Sequence, residues 1–420
     1  MKINNIKIQN FKAISSLDLD LGKRLNIIVG SNGVGKSTVL LAISKCISWY
    51  LARVVNLSNG KGLTISDEEI RKNAHFANIE IDIDVNYKWN LFKTKLRKGV
   101  QHLEKSNLMN VKRYILDNVN FEEDSNVPLI AYYGVNRSVQ EIPIKLHRTK
   151  NNSVFNAYDN ALAAGANFRR FFEWLRERED IENQEKVENR NFDYTDRQLE
   201  AVRGAITQAL PQFNNLKVKR SPRAITIEKD GDEFKIENFS DGEKCFITLV
   251  GDIARRLAMA TPLSTSPLTD GQGIILIDEI DLHFHPKWQI EIADKLKSIF
   301  PNCQFIITTH SPYILSAIKN NEDEKIFVIN NGELSSFSID AYGKEVNELL
   351  EYYFEVPTLR NSQVQNHIDA LDALLAQGKV FTQEYDDKLN ELKNILKDDA
   401  ILLRYESEKI IRRVQNEKNK

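Results

Sequence analysis

A phosphate-loop pattern, G-x-x-x-x-G-K-[ST], lies near the start of this chain and constrains the fold around it. The pattern reads Gly30, Ser31, Asn32, Gly33, Val34, Gly35, Lys36 and Ser37, and Thr38 follows. The apolar run 25–29 before it suits a buried strand, and the apolar run 39–43 after it suits a helix. Such a loop points backbone N–H groups at phosphates, while the lysine adds charge and the serine offers Mg²⁺ a hydroxyl. The sequence therefore predicts binding of a nucleoside triphosphate.

Two later segments supply the other groups that nucleotide hydrolysis needs. The apolar run 273–277 ends in Asp278 and Glu279, a pattern in which the aspartate holds Mg²⁺ and the glutamate polarises the attacking water. The run 304–309 leads into His310, whose imidazole would lie near a γ-phosphate. Acidic strand ends and single turn histidines are common on their own. The phosphate loop makes them catalytic candidates, with ATP and Mg²⁺ as the expected ligands.

Residues 240–243 resemble the signature motif of ATP-binding-cassette (ABC) ATPases. They read Ser240, Asp241, Gly242 and Glu243, with aspartate where the commonest version has glycine, and a helical run follows at 245–250. The resemblance implies that the serine and the next amides bind the γ-phosphate of ATP held by a second subunit. The same residues also form an ordinary capped helix start, with Glu243 completing a capping box. Both interpretations hold together.

The resemblance narrows to the RecF, SMC and Rad50-like branch of these ATPases through segments 6–12 and 278–289. Within that branch the chain is similar to the ATPase subunits of Septu and retron-associated defence systems. The resemblance covers residues 1 to about 355. It implies an α/β head, with a mixed sheet flanked by helices and an antiparallel subdomain. It also implies a homodimer or higher oligomer and a partner nuclease of the HNH type. Cassette proteins place a glutamine-bearing loop after the strand predicted at 128–133, and Gln140 is the candidate Mg²⁺ ligand there.

The chain is expected to divide into a head at 1–355, split by a mostly helical insert at about 151–215, and a helical region at 356–420. Strict alternation of apolar and polar residues at 79–85 predicts an antiparallel strand with one solvent-exposed face. Apolar residues recur at helical spacing after residue 357 and predict a helical hairpin followed by a third helix. That region either packs on the head or binds a partner or a second copy.

Composition favours a cytoplasmic protein with no membrane segment. Its three cysteines are scattered, no cleavable apolar signal opens the sequence, and no run of 18 apolar residues was recognised. The net charge of −2 gives no global argument for nucleic-acid binding.

Local positive charge leaves contact with DNA or RNA open. A shorter cluster spans 217–223, and the longer stretch 88–113 interleaves Trp89 and Phe92 with six of its cations, namely Lys93, Lys95, Arg97, Lys98, Lys105 and Lys112. Ordinary solvated loops are the favoured explanation of both clusters. The close pair His283 and His285 is expected to shape a loop rather than to hold a nuclease metal.

Three functions fit this sequence. The first is an ATPase that dimerises around ATP and controls a partner nuclease in anti-phage defence. The second is a RecF or SMC-like clamp that binds DNA during repair. The third is a transporter ATPase, which the divided head and the opening at 10–12 count against.

Overall fold

The computed structural model describes residues 1–84, 86–95, 105–120, 125–135, 154–163, 168–221, 223–335, 340–354, 356 and 360–418. The strands are β1 Ile3–Phe11, β2 Ile14–Asp20, β3 Leu25–Val29, β4 Phe76–Ile83, β5 Tyr87–Thr94, β6 Leu129–Tyr133, β7 Phe213–Arg220, β8 Arg223–Lys229, β9 Asp232–Lys235, β10 Gly273–Ile277, β11 Cys303–Thr308, β12 Glu324–Asn330 and β13 Glu333–Leu334. The helices are α1 Lys36–Val55, α2 Met109–Asn118, α3 Phe168–Glu188, α4 Arg197–Ala209, α5 Asp241–Ala260, α6 Pro267–Asp270, α7 Pro286–Ile299, α8 Pro312–Ser316, α9 Val346–Phe354, α10 Ser362–Ala376, α11 Gln383–Leu396 and α12 Ala400–Lys418.

A six-stranded sheet forms the centre of the first part of the chain. Its order is β13-β12-β3-β11-β10-β6, and all neighbours are parallel except the short β13, which runs antiparallel to β12. The strands β3, β6, β10 and β11 are buried along their whole length, as expected for parallel strands covered on both faces. Because parallel strands end at the same edge, the loops after β3, β10 and β11 meet there.

A second sheet is antiparallel, in the order β2-β1-β4-β5. Its strand β4 alternates buried and half-buried residues, so the alternation predicted at 79–85 is confirmed for 79–83 as one face on the core and one toward solvent. The strand ends at Ile83, because Asp84 turns with a left-handed φ of 47°. The predicted mixed sheet flanked by helices and the antiparallel subdomain are therefore confirmed.

Helices α3 and α4 pack against α5, and the three-stranded antiparallel sheet β7-β8-β9 adjoins them. Close approach of α5 and α3 depends on Gly251, where a Cβ would lie 2.7 Å from the ring of Phe171. Phe171, Phe172 and Leu175 are buried and form an apolar face of α3. Within the described part of 151–215, helices α3 and α4 are joined by the non-helical residues 189–196, and strand β7 begins at Phe213.

The chain separates into two compact units, Met1–Leu349 and Leu350–Lys420. The second unit contains the predicted helical hairpin, α10 and α11, and the third helix, α12. Its core is apolar and includes the fully buried rings of Tyr385 and Tyr405. Arg360 and Asp399 form a two-pronged ion pair with N to O distances of 2.7 and 2.9 Å.

Among the described residues, one helix is long and apolar enough to cross a bilayer. It is α1, Lys36–Val55, and 61% of its most apolar window is buried inside the protein. Core helices of soluble proteins pass the same test of length and composition.

Candidate nucleotide site

The phosphate loop connects β3 to α1 and is shaped by its glycines. Gly30, Gly33 and Gly35 have φ angles of 150°, 82° and 112°, in a region that other residues rarely adopt. A Cβ at Gly30 would also lie 2.2 Å from the carbonyl oxygen of Ile329. The loop therefore requires glycine at its ends, and its curl leaves Ser31, Asn32 and Gly33 exposed while Val34 is buried.

Lys36 begins α1 with its side chain turned back over the loop. Its ammonium donates hydrogen bonds to the carbonyl oxygens of Gly30 at 3.0 Å and Ser31 at 2.8 Å. Burial lowers the pKa of Lys36, and the carboxylates of Glu279, Asp278 and Asp281 act in the opposite direction. A donor held only by loop carbonyls is placed to bind phosphate oxygens.

Ser37 and Asp278 meet although 241 positions separate them in the sequence. The Ser37 hydroxyl, in the first turn of α1, donates to Asp278 Oδ1 at 3.0 Å. Thr38 is half-buried beside it. A hydroxyl and a carboxylate side by side are hard oxygen donors of the kind that Mg²⁺ prefers. The residues present therefore fit a magnesium ion at this edge.

Glu279 follows with the backbone turned out of the strand. Its φ angle of 46° is left-handed, an unusual conformation for a residue with a side chain. Its N–H donates to the Thr308 hydroxyl at 2.7 Å, and the Asp278 N–H donates to the Tyr133 carbonyl at 2.8 Å. The two acidic residues are thus held by the strands on either side, β11 and β6.

His310 lies at the end of β11, half-buried beside the same loop. Its N–H donates to Asp281 Oδ1 at 3.3 Å, and the Thr309 hydroxyl donates to the same oxygen. Burial and the nearby charge of Lys36 lower the pKa of His310, with Asp281 opposing them. These effects favour a neutral imidazole at pH 7, which can accept or donate a hydrogen bond.

The signature segment forms the start of α5. Ser240 caps the helix by accepting from the Glu243 N–H at 3.3 Å, and Glu243 accepts in return from the Ser240 N–H at 3.1 Å. The predicted capping box is therefore present. Asp241 is exposed and forms an ion pair with Lys244 at 2.9 Å, which lowers the pKa of its carboxyl.

The loop after β10 abuts this helix start. A Cβ at Gly242 would lie 2.4 Å from the His283 carbonyl oxygen, so the glycine permits this contact. His285 caps α7 by accepting from the Lys287 N–H at 3.3 Å. Among the described residues no group of three or more His, Cys, Asp or Glu side chains is arranged to hold a metal.

Several residues considered as contacts for DNA or RNA form ion pairs within the protein. In the antiparallel sheet, Lys88 pairs with Glu80 at 2.6 Å and Lys93 with Asp67 at 3.1 Å. In the 217–223 cluster, Lys217 and Lys219 both pair with Glu233, and Arg220 pairs with Asp180. Carboxylates of the protein itself therefore offset the positive charge of these five cations. Gln140, Arg97 and Lys98 lie outside the described residues.

Sequence reasoning missed a buried charge network on α5. Both oxygens of Asp252 accept from guanidinium groups, Oδ1 from Arg255 and Oδ2 from Arg256, at 2.7 to 2.9 Å, and Oδ2 also accepts from the Tyr133 hydroxyl at 2.9 Å. The guanidinium charges hold the pKa of the Asp252 carboxyl well below its usual range, against the effect of burial. One aspartate with arginines three and four positions later, in an otherwise apolar helix, was the available signal.

The sequence of this chain is similar to those of known ATPases and defence proteins. A family model described as AAA ATPase domain matches residues 1–315. The retron Vc95 probable ATPase of Vibrio cholerae serotype O1 biovar El Tor is 31% identical, over 94% of this chain and 86% of the relative. The Septu protein PtuA of Bacillus thuringiensis is 25% identical, over 93% of this chain and 91% of the relative.

Solved structures similar to this chain include the SMC head domain from Thermotoga maritima. It is 15% identical, with coverage of 81% of this chain and 100% of that chain, and the TM-score is 0.43. This likeness is too distant to support an argument about the site. The assignment of the site therefore rests on the parallel strands and the phosphate loop of this chain.

Proposed function

Because the chain belongs to the AAA ATPase domain family, we propose that it binds and hydrolyses ATP as the ATPase subunit of an anti-phage defence complex. The proposed ATPase activity rests on the 3.0 Å hydrogen bond between Ser37 and Asp278, which joins the phosphate loop to the acidic end of β10. The similarity to retron and Septu ATPases supports the defence setting.

Phosphate binding is assigned to the loop 30–38. Its backbone amides and the start of α1 favour negative charge, and Lys36 exchanges its two carbonyl acceptors for phosphate oxygens. Ser37 and Asp278 would hold Mg²⁺, which when bound offsets the charge on the phosphate oxygens. Gln140 is the further candidate ligand from the sequence.

Water activation is assigned to Glu279, with His310 at the γ-phosphate end. Glu279 takes the proton of the attacking water, and its backbone is fixed by the Thr308 hydroxyl. His310, neutral because its pKa is lowered, hydrogen-bonds the same region and is held by Asp281. Both side chains lie beyond the carboxyl ends of neighbouring strands, where nucleotides bind in such sheets.

Head-to-tail dimerisation is assigned to the signature segment 240–243. In a second copy, Ser240 and the first amides of α5 would complete the γ-phosphate site opposite Lys36. ATP then joins two subunits, and hydrolysis releases them. The capping box and the pairing of Asp241 with Lys244 keep this helix start ordered and limit the repulsion between Asp241 and phosphate.

Partner binding is assigned to the region 356–420, the partner is a nuclease of the HNH type, and the complex is placed in the cytoplasm. Helix α12 has an exposed apolar face, with Leu403 65% and Ile410 64% exposed, together with Ile411 and Val414. Four such residues on one helix provide a groove-binding face. A DNA clamp is the alternative, and the ion pairs of both basic clusters weigh against it.

Lys36→Ala is expected to weaken ATP binding by about tenfold or more, because a charge-assisted contact is worth roughly 1.5 to 3 kcal/mol. Titration with ATP measures the change. Lys61→Ala, at an exposed position after α1, is the matched control and should bind like the parent. Unchanged affinity in the Lys36 variant would remove the phosphate-loop assignment.

A triple variant, Leu403→Ser with Ile410→Ser and Val414→Ser, is expected to reduce co-purification with the product of an adjacent nuclease gene by about tenfold or more. The reason is that buried apolar anchors dominate binding energy at such faces. Pull-down of the co-expressed nuclease with the full-length chain measures it, and ATP affinity should not change.

The control for that experiment is Leu263→Ser, which alters a leucine that is 68% exposed in the unit Met1–Leu349. It should leave co-purification intact. The purified chain alone should also leave plasmid DNA uncut. Equal recovery of the nuclease with the triple variant would place the partner elsewhere, and cleavage lost on replacing His283 and His285 would make this chain a nuclease itself.

A further inference from the structure

Thr308 contacts both acidic residues of the candidate site. It is the last residue of β11, the strand that lies between β3 and β10, and its side chain is fully buried. Its hydroxyl donates to Asp278 Oδ1 at 2.5 Å and accepts from the Glu279 N–H at 2.7 Å. The single hydroxyl of Thr308 therefore donates to the carboxylate of Asp278 and accepts from the backbone of Glu279.

The backbone of Thr308 extends the contact by one more residue. Its carbonyl oxygen accepts from the Ile280 N–H at 3.0 Å. Three successive residues after β10 are thus bonded to Thr308, across the point where Glu279 takes a left-handed φ of 46°. A non-glycine residue in that conformation costs free energy of order 1–3 kcal/mol, and it persists only where its surroundings fix it.

Orientation of the Asp278 carboxylate also depends on this hydroxyl. Oδ1 accepts from both Thr308 and Ser37, two donors on different elements. The preceding residues of β11, Phe305, Ile306 and Ile307, are apolar and buried. Valine has the shape of threonine and would suit this strand equally well. The hydroxyl is therefore explained by what it bonds, and both partners belong to the candidate site.

We propose that Thr308 is a positioning residue for ATP hydrolysis, one that sets the Asp278 carboxylate toward Mg²⁺ and the Glu279 side chain toward the attacking water. It acts through those residues and does not itself touch the nucleotide. This inference rests on the proposed ATPase function. Groups behind metal ligands typically contribute about 10- to 100-fold to metal affinity or activity.

The test compares Thr308→Val, which keeps shape and loses the hydroxyl, with Thr308→Ser, which keeps the hydroxyl. Thr308→Val should lower kcat by about 10- to 100-fold, and Thr308→Ser should recover most of it. KM for ATP should rise by less than kcat falls, because the variant weakens only the Mg²⁺-dependent part of ATP binding and leaves loop 30–38 unchanged. A second readout is titration of a fluorescent ATP analogue with and without Mg²⁺. The increase in affinity for the analogue on adding Mg²⁺ should be smaller in Thr308→Val and unchanged in Thr308→Ser.

Thr261→Val is the matched control. Thr261 is 3% exposed and its hydroxyl donates to the Leu257 carbonyl at 2.7 Å, at the far end of α5 from Ser240. Its turnover and its Mg²⁺-dependent gain should equal those of the parent. Melting temperature is measured for every variant.

Three outcomes would overturn the inference. Parental turnover and a parental Mg²⁺ gain in Thr308→Val would show that the hydroxyl positions nothing. Failure of Thr308→Ser to recover activity, with all variants equally stable, would assign the effect to shape. A parent that binds ATP without turning it over would refute the proposed hydrolysis first and this inference with it, so the two failures are distinguishable.

Discussion

Replacing Glu279 by glutamine is expected to lower ATP turnover by about 10² or more while ATP-dependent dimers persist. Glutamine keeps the size and hydrogen bonding of the side chain and loses only the base. The backbone contacts of residue 279 with Thr308 do not involve the carboxyl, so the loop should keep its shape. Phosphate release measures turnover, and gel filtration with and without ATP measures the dimer.

Glu291→Gln is the matched control, since the Glu291 side chain is 43% exposed on α7 and forms a surface ion pair with Lys295. It should turn over ATP like the parent. A Glu279→Gln variant that hydrolyses ATP at the parental rate would place the base elsewhere, and His310 is the next candidate because its neutral imidazole lies beside the same loop. Loss of ATP binding in the variant would contradict a role limited to water activation.

The three loops of the site could be predicted because each carries its own local pattern. The phosphate loop, the pair Asp278 and Glu279, and His310 each follow an apolar run typical of a buried strand. Parallel strands bring such loops to one edge whatever their order in the sheet. The 3.0 Å contact between Ser37 and Asp278 is the consequence. The capping box was equally local, since Ser240 and Glu243 lie within one turn.

Contacts set by the pairing of distant strands could not be predicted. Thr308 reaches Asp278 because β11 is inserted between β3 and β10, and no pattern in the sequence gives that order. Lys88 is a case at shorter range, because the register of the hairpin β4-β5 decides that Glu80 is its ion-pair partner. A basic run in a sequence shows its own charges and not those that face it, so its meaning for nucleic acid depends on the fold.

Asp252→Asn is expected to have the largest effect on stability, a loss of about 3–5 kcal/mol in the free energy of unfolding. Asparagine fits the space but removes the only carboxylate that the described contacts give to the buried guanidinium groups of Arg255 and Arg256. Two buried positive charges would then lie four residues or fewer from a neutral amide. Denaturant unfolding, followed by fluorescence and circular dichroism, measures the change.

Asp18→Asn serves as the control, because Asp18 and Lys7 form an exposed ion pair at 2.9 Å, and its loss should cost less than about 1 kcal/mol. Equal stability of the Asp252 variant and the parent would show that the network contributes nothing net. The expected loss has a consequence for the site as well. Asp252 accepts from the Tyr133 hydroxyl, and the Tyr133 carbonyl accepts from the Asp278 N–H. Loosening α5 at Asp252 therefore loosens the strand end beside Asp278, so ATP turnover should fall at denaturant concentrations where the variant is still folded.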